Sequence, residues 1–242
     1  LEATNGIKIA TGIANRYARD PLTTNAAMQT LNEAFPGRFL LGLGVSHGHL
    51  VAGIRKQTYD KPYSAMVEYL DAMESALFMA PKGEPPAEMV LAALGPKMLK
   101  LAAERTAGAH PYFVPPEHTA IARETMGPEP LLAVEQMVVL DENPDTARET
   151  ARAHMSIYLG LPNYANNLKR LGFTEEEITE DGGSDRVVDA VVAWGGVEAA
   201  KERVQAHLDA GADHVCIQIL ESDMAALPRD GWRRLAEALP LG

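Results

Sequence analysis

The residues best placed to do chemistry are Leu94-Gly95-Pro96-Lys97-Met98, which close the apolar run Met89–Leu94. Gly95 permits a tight turn and lets a ligand come close to the backbone. Pro96 suits the first position of a helix, where its missing N–H costs nothing. The amides of Lys97, Met98 and Leu99 are then expected to be unpaired at the positive end of a helix dipole. Lys97 adds a point charge, so the segment describes an anion site of the phosphate-binding kind. It equally describes an ordinary helix start. It is not a P-loop, which needs Gly-x4-Gly-Lys-Ser/Thr.

A second group is Gly42-Leu43-Gly44-Val45-Ser46-His47-Gly48-His49, again at the end of an apolar run. Its glycines allow a flat ligand to approach the main chain, and Gly44, Val45 and Ser46 end the run. A histidine such as His47 exchanges a proton near neutral pH. His47 and His49 lack a third ligand at metal spacing, so no metal site is expected. A third group, Thr11-Gly12-Ile13-Ala14-Asn15-Arg16-Tyr17-Ala18-Arg19-Asp20-Pro21, suggests a bulge at a strand end facing a ligand. Arg16 and Arg19 suit phosphate contact or surface ion pairs. No serine sits in a nucleophile elbow. Cys216 falls mid-strand and is expected to be a buried, inert thiol; the methionines recur at helical spacing and are expected in the core.

These groups need strands that end where they begin. Apolar patterning predicts strands over 7–13, 39–45, 89–94, 110–114, 131–140 and 214–220. Helices are predicted over 22–34, 63–79, 96–107, 117–126, 144–160, 197–210 and 232–239, with Asn143 capping the fifth. Residues 161–184 read as helix, loop and helix start. Six strand–helix repeats imply a parallel sheet, either an open doubly wound sheet or an eight-stranded barrel with two strands missing. The 242 residues suit one barrel domain over 1–242, a fold that takes about 250 residues.

Composition narrows the function. Apolar residues make up 46%, enough for a sizeable core. A net charge of −11 argues against nucleic acid or an anionic membrane as the main partner. One cysteine excludes an internal disulfide and fits a reducing cytoplasm. No apolar run reaches the ~18–20 residues of a membrane span, and no signal peptide is visible. The chain opens on Leu1 rather than Met, from which further sequence upstream is expected.

Three segments together resemble the luciferase-like monooxygenase superfamily: Thr11–Asn15, Phe39–Gly44 and Leu94–Ala102. The resemblance is strongest to the branch that uses coenzyme F420, an 8-hydroxy-5-deazaflavin, and extends through Ala193-Trp194-Gly195 and Ala210–Val215. It implies a (β/α)8 TIM barrel of the bacterial luciferase type, with the first two βα units absent from this chain. It implies an oxidoreductase that passes a hydride between F420 and a small organic substrate. The cofactor ring would lie against Gly12, Ile13, Ala14 and Asn15, with a non-proline cis peptide at Gly12–Ile13 or beside it. Gly44, Val45 and Ser46 would line it, and Gly95, Pro96, Lys97 and Met98 would hold its phosphate. His47 stands where some relatives carry an acidic residue and is the expected proton donor or acceptor. Alternatives are an FMN-dependent monooxygenase supplied with reduced flavin by a reductase, a catalytically silent flavin-binding barrel, and, disfavoured by the placement of Lys8 and Lys100, an aldolase. A homodimer is expected.

Overall fold

The computed structural model describes residues 1–239. The chain divides into two compact units, one of Leu1–His110 with Glu129–Leu131, the other of Pro111–Pro128 with the residues from Leu132 onward.

In the first unit, β3 (Phe39–Gly44) is the central strand. β1 (Ile9–Ala10) and β2 (Ala14–Asn15) run parallel to it, with Ile9 opposite Phe39 and Asn15 opposite Gly44. β4 (Glu88–Leu91) is also parallel, with Leu43 opposite Leu91, and β5 (Gly108–Ala109) pairs with β4. The continuous apolar run of β3 suits a parallel strand covered on both faces, and Leu41 and Leu43 are buried. The helices are α1 (Pro21–Ala34), α2 (Pro62–Glu74) and α3 (Pro96–Arg105), with one π-helical stretch at His49–Ile54. Asp20 caps α1 by accepting from the Thr23 amide, and Pro21 takes the first helical position.

Two expectations are corrected here. The strand over 7–13 is two short pieces, because the chain leaves the ladder at Thr11–Ile13 and returns at Ala14. The helix over 63–79 stops at Glu74: Ser75 turns its amide and hydroxyl back onto Asp71, and Leu77 and Met79 beyond it find no cover and lie exposed. The π-helix was not foreseen.

The second unit is built on β6 (Leu131–Val139, from Leu132 on in this unit), paired in parallel with β7 (Val192–Trp194) and β8 (His214–Ile219). Its helices are α4 (Pro116–Met126), α5 (Pro144–Leu159), α6 (Pro162–Arg170), α7 (Asp185–Val191), α8 (Val197–Asp209) and α9 (Arg229–Ala238). Asn143 caps α5 as expected, accepting from the Asp145 and Thr146 amides. Side chains alternate along β6. Val138 packs with Ala193, Ala200, Ile219 and Leu235, so the even-numbered face looks toward the helices. On that face Gln136 gives its amide hydrogens to the carbonyls of Met137 and Val191, so its Oε1 accepts from His207 Nε2. His207 Nδ1 then accepts from Thr119, and the imidazole is held neutral.

The predicted strand over 110–114 is not one: regular pairing ends at Ala109, since Pro111 has no N–H to give and Phe113 sits at φ +62. β7 was missed, because three residues directly after a helix leave too short a pattern to read.

Candidate functional site

The register of the first unit sets three strand ends side by side. Asn15 lies opposite Gly44, Leu43 lies opposite Leu91, and the Ala92 amide continues the ladder onto Leu43. The predicted residues Gly12–Asn15, Gly44–Ser46 and Gly95–Met98 therefore leave neighbouring strands at the same carboxyl-terminal edge. The Gly12–Ile13 peptide is cis, where the resemblance placed it.

Glycine is required at β3 for a stated reason. A Cβ on Gly42 would come within 2.0 Å of the Thr11 carbonyl oxygen, and one on Gly44 within 2.5 Å of Ile13 Cδ1. The bulge thus lies directly on a bare β3 backbone, fastened by the Thr11 hydroxyl donating to the Gly42 carbonyl at 2.7 Å. Beyond it, the Arg16 amide donates to the Gly44 carbonyl and the Tyr17 amide to Asn15 Oδ1. Asn15 is spent on shaping this turn.

At the end of β3, Ser46 adopts φ +58, which turns the chain sharply before His47. The Ser46 carbonyl accepts from the Tyr59 hydroxyl at 3.1 Å, and the His47 carbonyl accepts from the Leu50 and Val51 amides. His47 is half-buried, and its ring stacks on His49 with centroids 6.3 Å apart. Arg16 lies over the rings of Tyr17 (4.4 Å) and Tyr69 (5.4 Å), with its Nε buried and unpartnered. No ion pair to a carboxylate is formed by Arg16 among the described residues. Tyr69 donates to the Arg19 carbonyl and accepts from Thr24, which fixes the loop on α1 and α2.

The start of α3 differs from expectation in part. No side chain caps Gly95, and Pro96 and Lys97 are exposed. The Leu99 amide is not free: it makes the first helical bond to the Gly95 carbonyl at 3.0 Å, and the Met98 amide bends onto the same oxygen. A helix cap carbonyl always takes the amide four residues on, so Leu99 was never available. Of the three amides expected to be free, that of Lys97 remains open, with the Lys97 ammonium beside it, at the positive end of a ten-residue helix. Lys8 pairs with Glu88 at the amino-terminal ends of β1 and β4, and Lys100 with Glu104 on α3, so neither stands at a carboxyl strand end.

The second unit holds groups that the sequence reading passed over. Glu135, mid-strand on β6, is 4% exposed, and burial pushes its carboxyl up to about 8. Its Oε2 accepts from the Phe113 amide at 3.1 Å, while Oε1 is buried with no partner. Tyr112 donates to Gln218 Oε1 at 2.9 Å and accepts from Tyr158 at 2.8 Å. Phe113, Tyr158 and Tyr164 pack edge-on and tilted around it. The signal was one acid in a nine-residue strand whose only other polar residue is Gln136, where an unpaired charge is costly. Cys216, opposite Glu135 across the β6–β8 pairing, is exposed rather than buried, because the face it shares with His214 lacks cover there. Its thiol is still held protonated by nearby protein atoms and then by Glu135. Met79 and Met224 are likewise exposed, outside the core expected for them.

The profile of the luciferase-like monooxygenase family matches residues 1–214. The chain belongs to that family. A curated relative in Mycobacterium tuberculosis, named as a coenzyme F420-dependent oxidoreductase, is 25% identical over 229 residues. That match takes in 74% of this chain and 66% of the relative, so it spans just under two thirds of the relative's length. Among solved structures, an F420-dependent secondary alcohol dehydrogenase in complex with an F420–acetone adduct superimposes with a TM-score of 0.76 at 15% identity, covering 99% of this chain and 80% of that one. The oxygenating constituent of 3,6-diketocamphane monooxygenase from Pseudomonas putida, in complex with FMN, gives 0.65 at 16%, covering 96% and 78%. The luciferase-like fold is thus of the TIM-barrel type expected, with part of the barrel formed by the described residues. No helix among those residues is long and apolar enough to cross a membrane.

Proposed function

We propose that this luciferase-like chain is an oxidoreductase that binds coenzyme F420 at the strand ends of its first unit and acts on a small organic substrate. The observation that carries the reading is the side-by-side placement of the Gly12–Asn15 bulge on Gly42 and Gly44 with the uncapped α3 start at Gly95–Met98. A flat ring fits a floor of Ile13 and Gly44 backbone, and a phosphate fits the Lys97 amide and ammonium. The named activities of the M. tuberculosis relative and of the alcohol dehydrogenase neighbour support F420. When bound, the deazaflavin supplies hydride transfer at its C5. The chain's own residues do the rest. Ile13 and Ala14 shape the ring's resting surface, Val45 and Ser46 line it, and His47 exchanges a proton at the substrate oxygen.

The test is a spectral titration of the protein with F420 and with FMN. Binding of F420 at tens of micromolar, weakened in Lys97→Ala, supports the reading. Failure of both cofactors to bind removes it. A second reading, an FMN-dependent monooxygenase fed by a separate reductase, is favoured by the FMN-bound neighbour. Oxygen uptake with supplied reduced FMN would select it.

A further inference from the structure

Glu135 is a buried acid with half of its hydrogen bonding unmet. Its Oε2 accepts from the Phe113 amide, which marks that oxygen as the carbonyl side of the carboxyl group. The proton then sits on Oε1, and a buried O–H that donates to nothing is destabilising. No atom of the described residues accepts from it. The acceptor therefore lies outside the described residues.

The surroundings say what kind of acceptor fits. Parallel register puts Cys216 level with Glu135, and side chains two apart along a strand share a face, so Gln218 follows on that side. Cys216 is exposed and Gln218 and Tyr112 are half-buried, so the face meets solvent beside a buried acid. Tyr112 gives its hydrogen to Gln218 Oε1, and Glu135 Oε1 is the one buried polar atom of this face with no partner among the described residues. Half-buried Tyr112 and Tyr158, backed by buried Phe113 and Tyr164, supply aromatic surface, which suits an apolar body. No Lys or Arg takes part, which disfavours an anion.

We infer that Glu135 donates a hydrogen bond to the carbonyl oxygen of a small, uncharged, largely apolar ketone or aldehyde bound against the Tyr112–Tyr164 wall. The binding site stands on the second unit alone and needs no cofactor.

The experiment uses the full chain and cyclohexanone carrying carbon-13 at the carbonyl, followed by infrared difference spectroscopy. In wild type at pH 7, a protonated-carboxyl band that vanishes in Glu135→Gln is expected, and ketone should shift it. The bound ketone's own carbonyl band should move to lower frequency. In Glu135→Leu the dissociation constant should rise about tenfold and the shift disappear. Glu135→Gln, whose amide still donates, should recover most of the affinity. Absence of the carboxyl band at pH 7 overturns the inference. So does a carboxyl band indifferent to ketone, which would make buried water the partner, and so does equal ketone affinity in Glu135→Leu. Loss of F420 and FMN binding alongside an intact ketone shift would refute the proposed function and leave this site standing. Cofactor binding without the shift would do the reverse.

Discussion

The two units do polar chemistry by opposite means. At the strand ends of the first, the polar groups are mostly main chain: bare glycine backbone at β3, a bulge pinned through carbonyls, and one open amide at α3. Its one candidate proton carrier, His47, stands half-buried at the edge. On β6 of the second unit, the polar groups are side chains taken out of water, with Glu135 kept protonated and His207 kept neutral. Backbone sites are held by shape and tolerate pH; side-chain sites are held by protonation state and do not. The first unit should therefore break when volume is added, and the second when pH is changed.

The largest effect expected is on Glu135. Its carboxyl titrates near 8 when folded and near 4.5 when unfolded. Between those values the folded chain holds a proton that the unfolded chain has released. Stability is then full below about pH 4.5 and declines as pH rises toward 8, by roughly 5 kcal/mol at most. Urea unfolding followed from pH 5 to 9 should show this fall in wild type and lose most of it in Glu135→Gln. A slope unchanged by the substitution would place the carboxylate in water, contrary to its burial.

His207 carries the opposite sign. Burial, then the charge of Arg203, lowers its pKa to about 4, against 6.5 when unfolded. Its contribution is complete above pH 6.5 and is lost as pH falls through 4, about 3 kcal/mol in all. Acid unfolding midpoints should move down in His207→Gln relative to its own neutral-pH stability. Imidazole carbon shifts should show this ring neutral at pH 5; a protonated ring there would dissolve the Gln136–His207–Thr119 chain.

Volume is the lever in the first unit. Gly42→Ala drives a methyl into the Thr11 carbonyl, a backbone atom that cannot move alone, and should cost about 2–3 kcal/mol. Gly44→Ala meets the flexible end of Ile13 and should cost nearer 1 kcal/mol, while still weakening cofactor binding by displacing that side chain. Urea midpoints measure both. If Gly44→Ala proved the worse for stability, the bulge would not be resting on β3 as described.

What was legible in the sequence follows the same division. Gly95-Pro96 announces a turn, and Gly42-x-Gly44 a close approach to the backbone, by residue type alone, so the strand ends and their order along the chain were readable. So was the Asn143 cap, a matter of three adjacent residues. Glu135 was not, because its meaning depends on Cys216 and Phe113, brought together by strand register and a left-handed turn far off in sequence. The same holds for β7, which exists by pairing with Met137–Val139 and hardly by its own pattern. The free amides assigned to α3 failed for a local reason: the Gly95 carbonyl claims two of them.

That last point sets the smallest prediction. With Met98 and Leu99 both turned onto Gly95, one of the three expected amides is left, with one mobile ammonium on an exposed lysine. An exposed charge near a helix N-terminus contributes modestly and is screened by salt. Lys97→Ala should therefore weaken F420 binding about two- to fivefold at low ionic strength, and the difference should shrink in 0.5 M salt, where the Debye length is only about 4 Å. Lys97→Pro, placed where the amide is already outside the helical ladder, removes the remaining donor as well and should weaken binding further with little change in helix content. Equal affinity in all three proteins would move the phosphate elsewhere and leave the ring floor at Ile13 and Gly44 as the whole of the first unit's claim on a cofactor.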